Sequence, residues 1–294
     1  MRNAPPLLRI EPLKGYSFVD QSLASGQSGA CDLYIHVAAG ALSFAARERS
    51  SKRFLGAECI VETEKVTSSL PDQIRKQLAE STLVSLGGYR SVRIAIANTF
   101  TTLVPAALFR AGDEQSIFGL SVTRNDLVVG AVKVHSFDTQ LVHGIQPEIC
   151  SLLLQLFPGA TLTNALAPLL EFQTTISNGR REPVMQLVSH PDQLTIIVSK
   201  GKQLLFANSF STKDAEEAAY YTLFSAGQLD LDLSQLLAVL HGTPSSCEEL
   251  RGRLLPYLPG LTDPERISFV NLCKGLQQLP AAALLPVLTI DLCA

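Results

Sequence analysis

Apolar and polar residues alternate along the chain from residue 32 onward. Leu33, Ile35 and Val37 are separated by more polar neighbours, an alternation that is typical of a β-strand. Two further apolar runs follow across short turns, and the last of them ends near Glu62. This pattern predicts a three-stranded antiparallel meander over residues 32–62.

The same plan recurs in the second part of the chain. Val184–Ser189 and Leu194–Ser199 are apolar runs on either side of a polar turn, and Leu204–Asn208 is a third run. In both regions the meander is followed by a helical pattern and then by a further apolar run. The sequence therefore predicts a structural duplication, with a second meander over residues 184–210.

A boundary between the two halves is predicted at Pro158-Gly159. The helix that begins at Pro147 stops there, because proline and glycine end helices. We therefore predict a first half over residues 30–158 and a second over 159–294. Residues 1–29, rich in glycine, serine and proline, are predicted to be a flexible lead-in.

The hydrophobic periodicity also predicts elements outside the two meanders. The predicted helices cover about 70–83, 147–157, 212–227 and 247–255. The predicted strands cover about 92–97, 100–104, 127–134 and 236–240.

Composition indicates a globular protein and excludes some classes of function. Hydrophobic residues make up 46% of the 294 residues, charged residues 17%, and the net charge is −3. Without a basic stripe or any tryptophan, the chain is a poor match for a nucleic-acid partner. The most apolar stretch, Leu279–Ile290, contains two prolines and is too short to span a membrane, so we expect it in the core.

The cysteines are scattered and have no spacing that suits a metal ion. The segment Met1–Pro6 lacks the apolar run of a signal peptide. We therefore expect a cytoplasmic protein with six free thiols. These are Cys31, Cys59, Cys150, Cys247, Cys273 and Cys293.

Several runs resemble an uncharacterised bacterial family placed with the actin, Hsp70 and sugar-kinase superfamily. They are Leu33–Phe44, Phe100–Phe109, and Leu204–Phe210 continuing through Tyr220–Phe224 to Gln228–Asp232. The resemblance implies an α/β fold of two RNase-H-like halves, with mixed sheets flanked by helices around a nucleotide cleft. The broader group also includes cytoplasmic assembly proteins of pilus and secretion machines.

The resemblance also implies where phosphate chemistry would lie. Active members of the superfamily place an aspartate at the end of the first strand of each half, before a glycine-rich turn. The matching stretch in the first half is His36–Gly40, which contains no acid. In the second half it is Val188–Asp192, where Pro191 has no N–H to offer a phosphate. A degenerate cleft without hydrolytic activity is therefore expected.

The adenosine-binding segment of the superfamily is matched by Val239–Cys247, which has one glycine and a helix start with Ser246 as a possible N-cap. A plain β–α turn that needs one flexible glycine explains the same residues and is the favoured interpretation. If a nucleotide does bind, the expected cleft residues are Ala39, Gly40, Asp192, Gly242 and Thr243.

Two polar groups have both a functional and a structural interpretation. His135, Asp138 and His143 could be metal ligands, but in an extended run the two histidines lie roughly 26 Å apart, so a structural role is favoured. A basic group is interpreted as a solvated hairpin tip, with an acidic partner surface as the alternative. It consists of Arg47, Arg49, Lys52 and Arg53.

The function predicted from these observations is that of a non-catalytic cytoplasmic interaction or scaffold protein that binds a protein partner and no cofactor or metal. The first alternative is a protein that binds ATP at the degenerate cleft, with weak or no Mg²⁺ dependence and no turnover. The second is a phosphotransferase, which would need acids from elsewhere, such as Asp138 or Asp232, to enter the cleft.

Overall fold

A computed structural model describes residues 15–62, 69–264 and 267–293, together with the backbone of 7–11. The strands and helices up to residue 164 are β1 (Leu7–Glu11), β2 (Gly15–Val19), α1 (Gln21–Ala24), β3 (Cys31–Ala38), β4 (Ala41–Glu48), β5 (Arg53–Val61), α2 (Leu70–Glu80), α3 (Thr82–Leu86), β6 (Ser91–Ile96), β7 (Thr101–Pro105), α4 (Glu114–Gly119), β8 (Val128–Val134), β9 (Thr139–Ile145), α5 (Pro147–Leu156) and β10 (Thr161–Asn164).

The elements after residue 164 form a second sheet with its helices and a return to the first sheet. They are α6 (Leu166–Ser177), β11 (Val184–His190), β12 (Gln193–Lys200), β13 (Gln203–Ser211), α7 (Ala215–Gln228), β14 (Leu237–Gly242), α8 (Pro244–Leu254), β15 (Leu261–Thr262), β16 (Asn271–Leu272) and α9 (Ala281–Leu288), followed by a 3-10 turn (Thr289–Cys293).

The two meanders predicted from the sequence are confirmed, and the duplication extends beyond them. The first sheet contains the strand order β5-β4-β3-β6-β10, and the second has the order β13-β12-β11-β14-β15. In each sheet the first three strands are antiparallel and the last two pairings are parallel. The two halves therefore share one topology over five strands.

The duplication is repeated in a single backbone hydrogen bond of each half. The N–H of Glu62, just after β5, donates to the carbonyl of Gly40 in the β3–β4 turn over 2.8 Å. In the second half the N–H of Thr212, just after β13, donates to the carbonyl of Asp192 in the β11–β12 turn over 2.9 Å. Each meander thus fixes its own hairpin turn in the same way.

Strands β3 and β11 are buried along their whole lengths. Tyr34 and His36, which the alternation would place on a solvent face, are buried as well. The physical reason is that both strands lie inside a mixed sheet that is covered on both faces, as parallel strands require. Polar residues within these strands therefore face the interior.

The predicted flexible lead-in is corrected by the structure from residue 15 onward. Strand β2 pairs with β5 and extends the first sheet. Phe18 is buried against Gly275, and the hydroxyl of Tyr16 donates to the carbonyl of Ala283 over 3.0 Å. A five-residue strand gives too short a pattern to identify from the sequence, and these two side-chain contacts lie more than 250 residues away.

The chain passes between the sheets later than Pro158-Gly159. Strand β10 follows that point and still pairs with β6 of the first sheet. Near the C-terminus β16 returns to pair with β5. These strands contain only 4 and 2 residues, so their pairing depends on tertiary contacts rather than on local periodicity.

A small subdomain is inserted between β6 and α5. It consists of a three-stranded antiparallel sheet in the order β7-β9-β8, with α4 packed on it. The sequence predicted two of its strands and missed β9 and α4. Strand β9 carries a glycine and a histidine among its buried positions, which obscured its pattern.

Two helices occupy the space between the sheets. Helix α6 packs on β11 and β12 of the second sheet and on the inserted subdomain. Helix α9 packs on β14 of the second sheet and on β3 and β4 of the first. The stretch Leu279–Ile290 is largely buried, as predicted. No helix in the described part of the chain is long and apolar enough to cross a membrane.

The six cysteines are all free thiols, as predicted from the sequence. The basic group near the β4–β5 turn differs in part from the prediction of a solvated tip, since Lys52 is exposed but two of the arginines bind acids. Arg47 is only about one-sixth exposed and forms an ion pair with Asp291, and the side chain of Arg49 binds the buried Asp32 over 2.8 Å. The hydroxyl of Tyr34 also donates to Asp291, over 2.7 Å. The C-terminal turn is therefore held on the first sheet by a half-buried polar cluster.

Replacing Asp291 with alanine is expected to lower the free energy of unfolding by roughly 1–3 kcal/mol, because Arg47 and Tyr34 lose their shared acceptor. Thermal or urea unfolding measures this loss. The matched control is Asp263→Ala, which breaks an ion pair with Arg251 in which the carboxylate is 65% exposed. An exposed pair contributes about 0–1 kcal/mol. Equal losses in the two variants would contradict this account of the C-terminal turn.

Candidate functional site

Three turns at the ends of central strands converge between the two halves. The β3–β4 turn and the β11–β12 turn come from the duplicated meanders, and the β14–α8 junction comes from the second sheet. They contain the residues predicted for a cleft, which are Ala39 and Gly40, then Asp192, and then Gly242 and Thr243.

The two hairpin turns lie against each other. A Cβ atom on Gly40 would lie only 3.3 Å from Cγ of Pro191. Gly40 has a φ of 72° and is buried, which favours glycine at this place in the turn. Its N–H donates to Oε1 of Gln73 in α2 over 3.2 Å. The turn donor that could contact a phosphate is thus bound by a side chain of the same half.

Histidine rings fill the space behind the turns. His36 from β3 and His190 from β11 have ring centroids 5.1 Å apart and are both buried. Nδ1 of His190 and Oγ1 of Thr243 share a hydrogen bond of 3.0 Å. This chain of contacts links the first sheet to the start of α8.

His241 of β14 completes the group, and we call His36, His190 and His241 the histidine cluster. The amide of Gln186 donates from Nε2 to Nε2 of His241 over 2.8 Å. The edge of Phe172 from α6 packs on the same ring. Within the described residues three ring nitrogens of the cluster have no hydrogen-bond partner. They are Nε2 of His36, Nε2 of His190 and Nδ1 of His241.

Burial makes all three rings resist protonation. It lowers the pKa of His190 from its ordinary value near 6.5 to about 4 and that of His241 to about 3. The pKa of His36 is lowered well below its usual value by burial and then by its histidine neighbours. A positive charge here would be desolvated and would repel the adjacent rings. The cluster is therefore neutral at pH 7.

Gly242 has a structural reason to be glycine. Its φ is 132°, and a Cβ atom there would lie 2.2 Å from the carbonyl oxygen of Ser189. The adjacent N–H of Thr243 donates to that same oxygen over 2.9 Å. The glycine thus permits β14 to stay paired with β11 at its last residue. Helix α8 begins at Pro244, so the predicted N-cap Ser246 lies inside the helix.

Asp192 is the one acid in these turns, and its position is peripheral. Its side chain keeps exposed surface, while the packing of nearby atoms raises the pKa of its carboxyl group. The ends of β3 and β11 carry histidine, alanine and serine rather than the carboxylates that hold Mg²⁺. No group of three or more histidine, cysteine, aspartate or glutamate side chains in the described residues is arranged to hold a metal ion.

The sequence located the three turns but missed how the histidines act together. By the sequence, His36 and Val188 stand near the positions where active members of the superfamily carry aspartate. In the structure His190 lies beside His36, and Val188 packs in the apolar cluster on α6. The signal that could have found the cluster was present, since three buried strands each carry a histidine. His135 and His143, for which a structural role was favoured over metal binding, lie at the tip and in the second strand of the β8–β9 hairpin.

The sequence matches a family described as "Protein of unknown function (DUF3822)" over residues 20–261. That match covers most of the chain. The chain belongs to this family. No curated protein is detectably similar to it in sequence.

Solved structures show the fold of this DUF3822 member. It is similar to a protein of Bacteroides thetaiotaomicron VPI-5482 with an actin-like ATPase fold and unknown function, with 22% identity, a TM-score of 0.71 and coverage of 91% of this chain and 97% of the other. It is also similar to a chain of the PilM-PilN type IV pilus biogenesis complex, with 13% identity, a TM-score of 0.62 and coverage of 89% and 97%. The fold is therefore actin-like, and the predicted fold class is confirmed.

The buried histidines predict that stability falls in mild acid. Their folded-state pKa values lie below the unfolded value near 6.5, so their contribution is complete above pH 6.5 and is lost as the pH falls toward 4. Each such histidine removes about 1.4 kcal/mol per pH unit in that window. Urea unfolding between pH 8 and pH 5 measures the slope.

The control for this slope is His135→Gln, because His135 is exposed at the tip of the β8–β9 hairpin. This variant should keep the pH dependence of the parent protein. His36→Leu removes one buried imidazole and should give a shallower slope, even if its absolute stability is lower. A free energy of unfolding that stays constant from pH 7 to pH 5 would contradict the assignment of neutral buried rings.

Proposed function

We propose that this protein is a non-catalytic protein-binding component of the cytoplasm that uses an actin-like frame. In this proposal the former nucleotide cleft is a structural joint between the halves, and function resides on the outer surface. The observation that carries the proposal is the contact between the two hairpin turns at Gly40 and Pro191.

The closed joint opposes nucleotide binding for reasons of space and charge. A triphosphate between the turns would have to separate Gly40 from Pro191 and displace the Gln73 side chain from the Gly40 N–H. It would then lie beside neutral imidazoles that supply no positive charge. Burying several negative charges without a carboxylate-held metal or a cation is strongly unfavourable.

The chemistry of phosphoryl transfer is also unsupported by the side chains at the joint. That reaction depends on groups that position the nucleotide and neutralise the charge of the phosphates. The earlier candidates Asp138 and Asp232 are exposed, and neither belongs to the three turns at the joint. Acids from these positions give no support to the phosphotransferase alternative.

Two observations support a role in protein binding: a similar fold in a protein complex, and exposed apolar side chains on the inserted subdomain. The similar structure from the PilM-PilN complex places a protein of this fold in an assembly with another protein, which is an argument from fold alone. In this chain the inserted subdomain exposes large apolar side chains. Leu120 is 87% exposed and Leu108 is 71% exposed. Contiguous exposed apolar surface marks sites of protein contact, and these two side chains are the candidates for such a surface.

A second function, binding of a nucleotide without turnover, is favoured by one observation. The three turns that converge at the joint are the ones expected to line a cleft, and ring nitrogens there lack partners. A ligand that opened the joint could satisfy them. The experiment that follows separates this alternative from the proposal.

ATP with or without Mg²⁺ is expected to leave the melting temperature unchanged at millimolar concentration, because the turns are closed and the cluster is uncharged. A ligand at 100 times its Kd would add about 2.7 kcal/mol of stability, which is a readily measured shift of several degrees. Differential scanning fluorimetry makes the measurement. A saturable shift that Thr243→Val removes would support nucleotide binding instead. Gly242→Val is unsuitable, since any Cβ there collides with Ser189.

A protein partner is expected to be retained by the tagged protein in cell extract and lost from the double variant Leu108→Glu, Leu120→Glu. Both side chains are exposed, so the fold should be unaffected while the apolar contact is removed. The control is Leu255→Glu, Tyr257→Glu, which changes two apolar residues after α8 that are 48% and 57% exposed. Quantitative mass spectrometry compares the three samples. Loss of the partner from the control variant as well would count against this surface.

A further inference from the structure

Strand β13 forms an open edge of the second sheet. It pairs with β12 on one side, and no strand in the described part of the chain pairs with its other side. Its nine residues, Gln203–Ser211, contain no charge and no proline. Natural sheets usually protect such edges with lysine, proline or a bulge that twists the strand away. A register shift in the pairing with β12 leaves Leu205 out of the ladder, and the regular, uncharged edge beyond it, from Phe206 to Ser211, is a surface on which another strand can pair.

The backbone of β13 offers hydrogen-bonding groups on this open side. The N–H of Thr212 donates to the carbonyl of Asp192. Counting back along β13 from Thr212, every second residue therefore forms its backbone hydrogen bonds with β12, and the backbone groups of the residues between them point away from β12. Ser209 is one of the outward residues, and its N–H is bound only by the side-chain Oδ1 of Asn208, over 2.9 Å. Ala207 follows in the same alternation. These are the groups that an added strand would bind.

A run of aromatic rings lies beside the edge. Phe210 of β13 stacks on Tyr221 of α7 with centroids 4.5 Å apart. Tyr221 contacts Tyr220, and Tyr220 stacks on Phe224 one helical turn later. Tyr220 is 59% exposed and Phe224 is 50% exposed. The rings continue from the edge strand onto the outer side of α7, where an added strand would find apolar surface.

Charge around the edge matches that of a second copy in the antiparallel orientation. Lys200 and Lys202 lie just before β13. The acidic residues just after it are Asp214, Glu216 and Glu217, with one lysine, Lys213, among them. When two copies pair antiparallel with Asn208 opposite Asn208, the basic start of each strand lies beside the acidic end of the other. In this register the outward-facing residues of the two strands lie opposite each other. A parallel pair would instead set like charges together.

We infer that two copies of this chain associate through β13 in an antiparallel, two-fold symmetric dimer. The two second sheets join into one continuous ten-stranded sheet, with the aromatic rings of both α7 helices packed alongside. A two-fold contact uses the same patch on both copies, and β13 with its flanking charges is self-complementary in this sense. This surface lies on the second half, apart from the joint and the inserted subdomain, so the inference does not rest on the proposed function.

The first test measures the molar mass of the full chain by light scattering after size exclusion, over a range of concentrations. The parent protein should give the mass of a dimer. The double variant Tyr220→Glu, Phe224→Glu should weaken the dimer by about tenfold or more, because both rings are exposed and charge cannot be buried there. The control, Leu255→Glu with Tyr257→Glu, should remain dimeric.

A charge exchange tests the antiparallel register. Lys200→Glu places an acid near Glu216 of the other copy, and Glu216→Lys places a base near Lys200 of the other copy, so each variant alone should be more monomeric than the parent. In an equimolar mixture the two variants restore opposite charges at both ends of the pair. The mixture should therefore form a heterodimer with affinity close to that of the parent.

Two results would overturn the inference. The first is a parent protein that remains monomeric at about 100 μM, well above the micromolar range in which a specific dimer of ordinary size associates. The second is a dimer that both the aromatic and the charge variants leave unchanged, which would place the contact elsewhere. Hydrogen exchange provides a readout in the native chain, since the amides of Ala207 and Ser209 should become more exposed to exchange on dilution.

Discussion

Packing of the apolar helix α9 between the two sheets is the interaction on which the rest of this structure depends. The sequence of α9 is apolar on all sides, Ala-Ala-Ala-Leu-Leu-Pro-Val-Leu, and such a helix is stable only where every face is covered. It contacts β14 on one side and β3 and β4 on the other. Removing its apolar surface from water stabilises the assembled pair of halves by about 25 cal/mol for each Å² buried.

This packing fixes where the duplicated turns lie. Helix α9 packs on both sheets, and the β3–β4 and β11–β12 turns, one from each sheet, are in contact with each other. The space that an actin-like frame leaves between its halves is then occupied by imidazole rings. Polar groups in this position are costly unless they are bonded, and several ring nitrogens are not. The joint is therefore neutral and sensitive to acid.

The outer surfaces have a different character from the joint. The inserted subdomain and helix α7 beside the β13 edge both expose apolar side chains, and they belong to different halves. In the proposed function, contacts with other chains are made by such surfaces rather than by the joint between the halves. Sites on separate halves can be occupied independently, so self-association and partner binding are compatible in one molecule.

Particular residues show what could be predicted from the sequence. The meanders, most helices and the three turns followed from local periodicity and from proline and glycine, because those signals act over a few residues. The strands β2, β10 and β16 did not, since their pairing partners are remote in sequence and the segments are short. The lack of an acid at His36 and at Val188 was also visible in the sequence.

The sequence by itself thus determined the repeated plan of the halves and the chemistry absent from the turns. Only the tertiary structure decided that Gly40 meets Pro191, that His190 lies beside His36, and that Asp291 binds Arg47. The reason is physical. Periodicity reports which face of a segment is buried, whereas the identity of the neighbour across that face depends on how separate parts of the chain pack together.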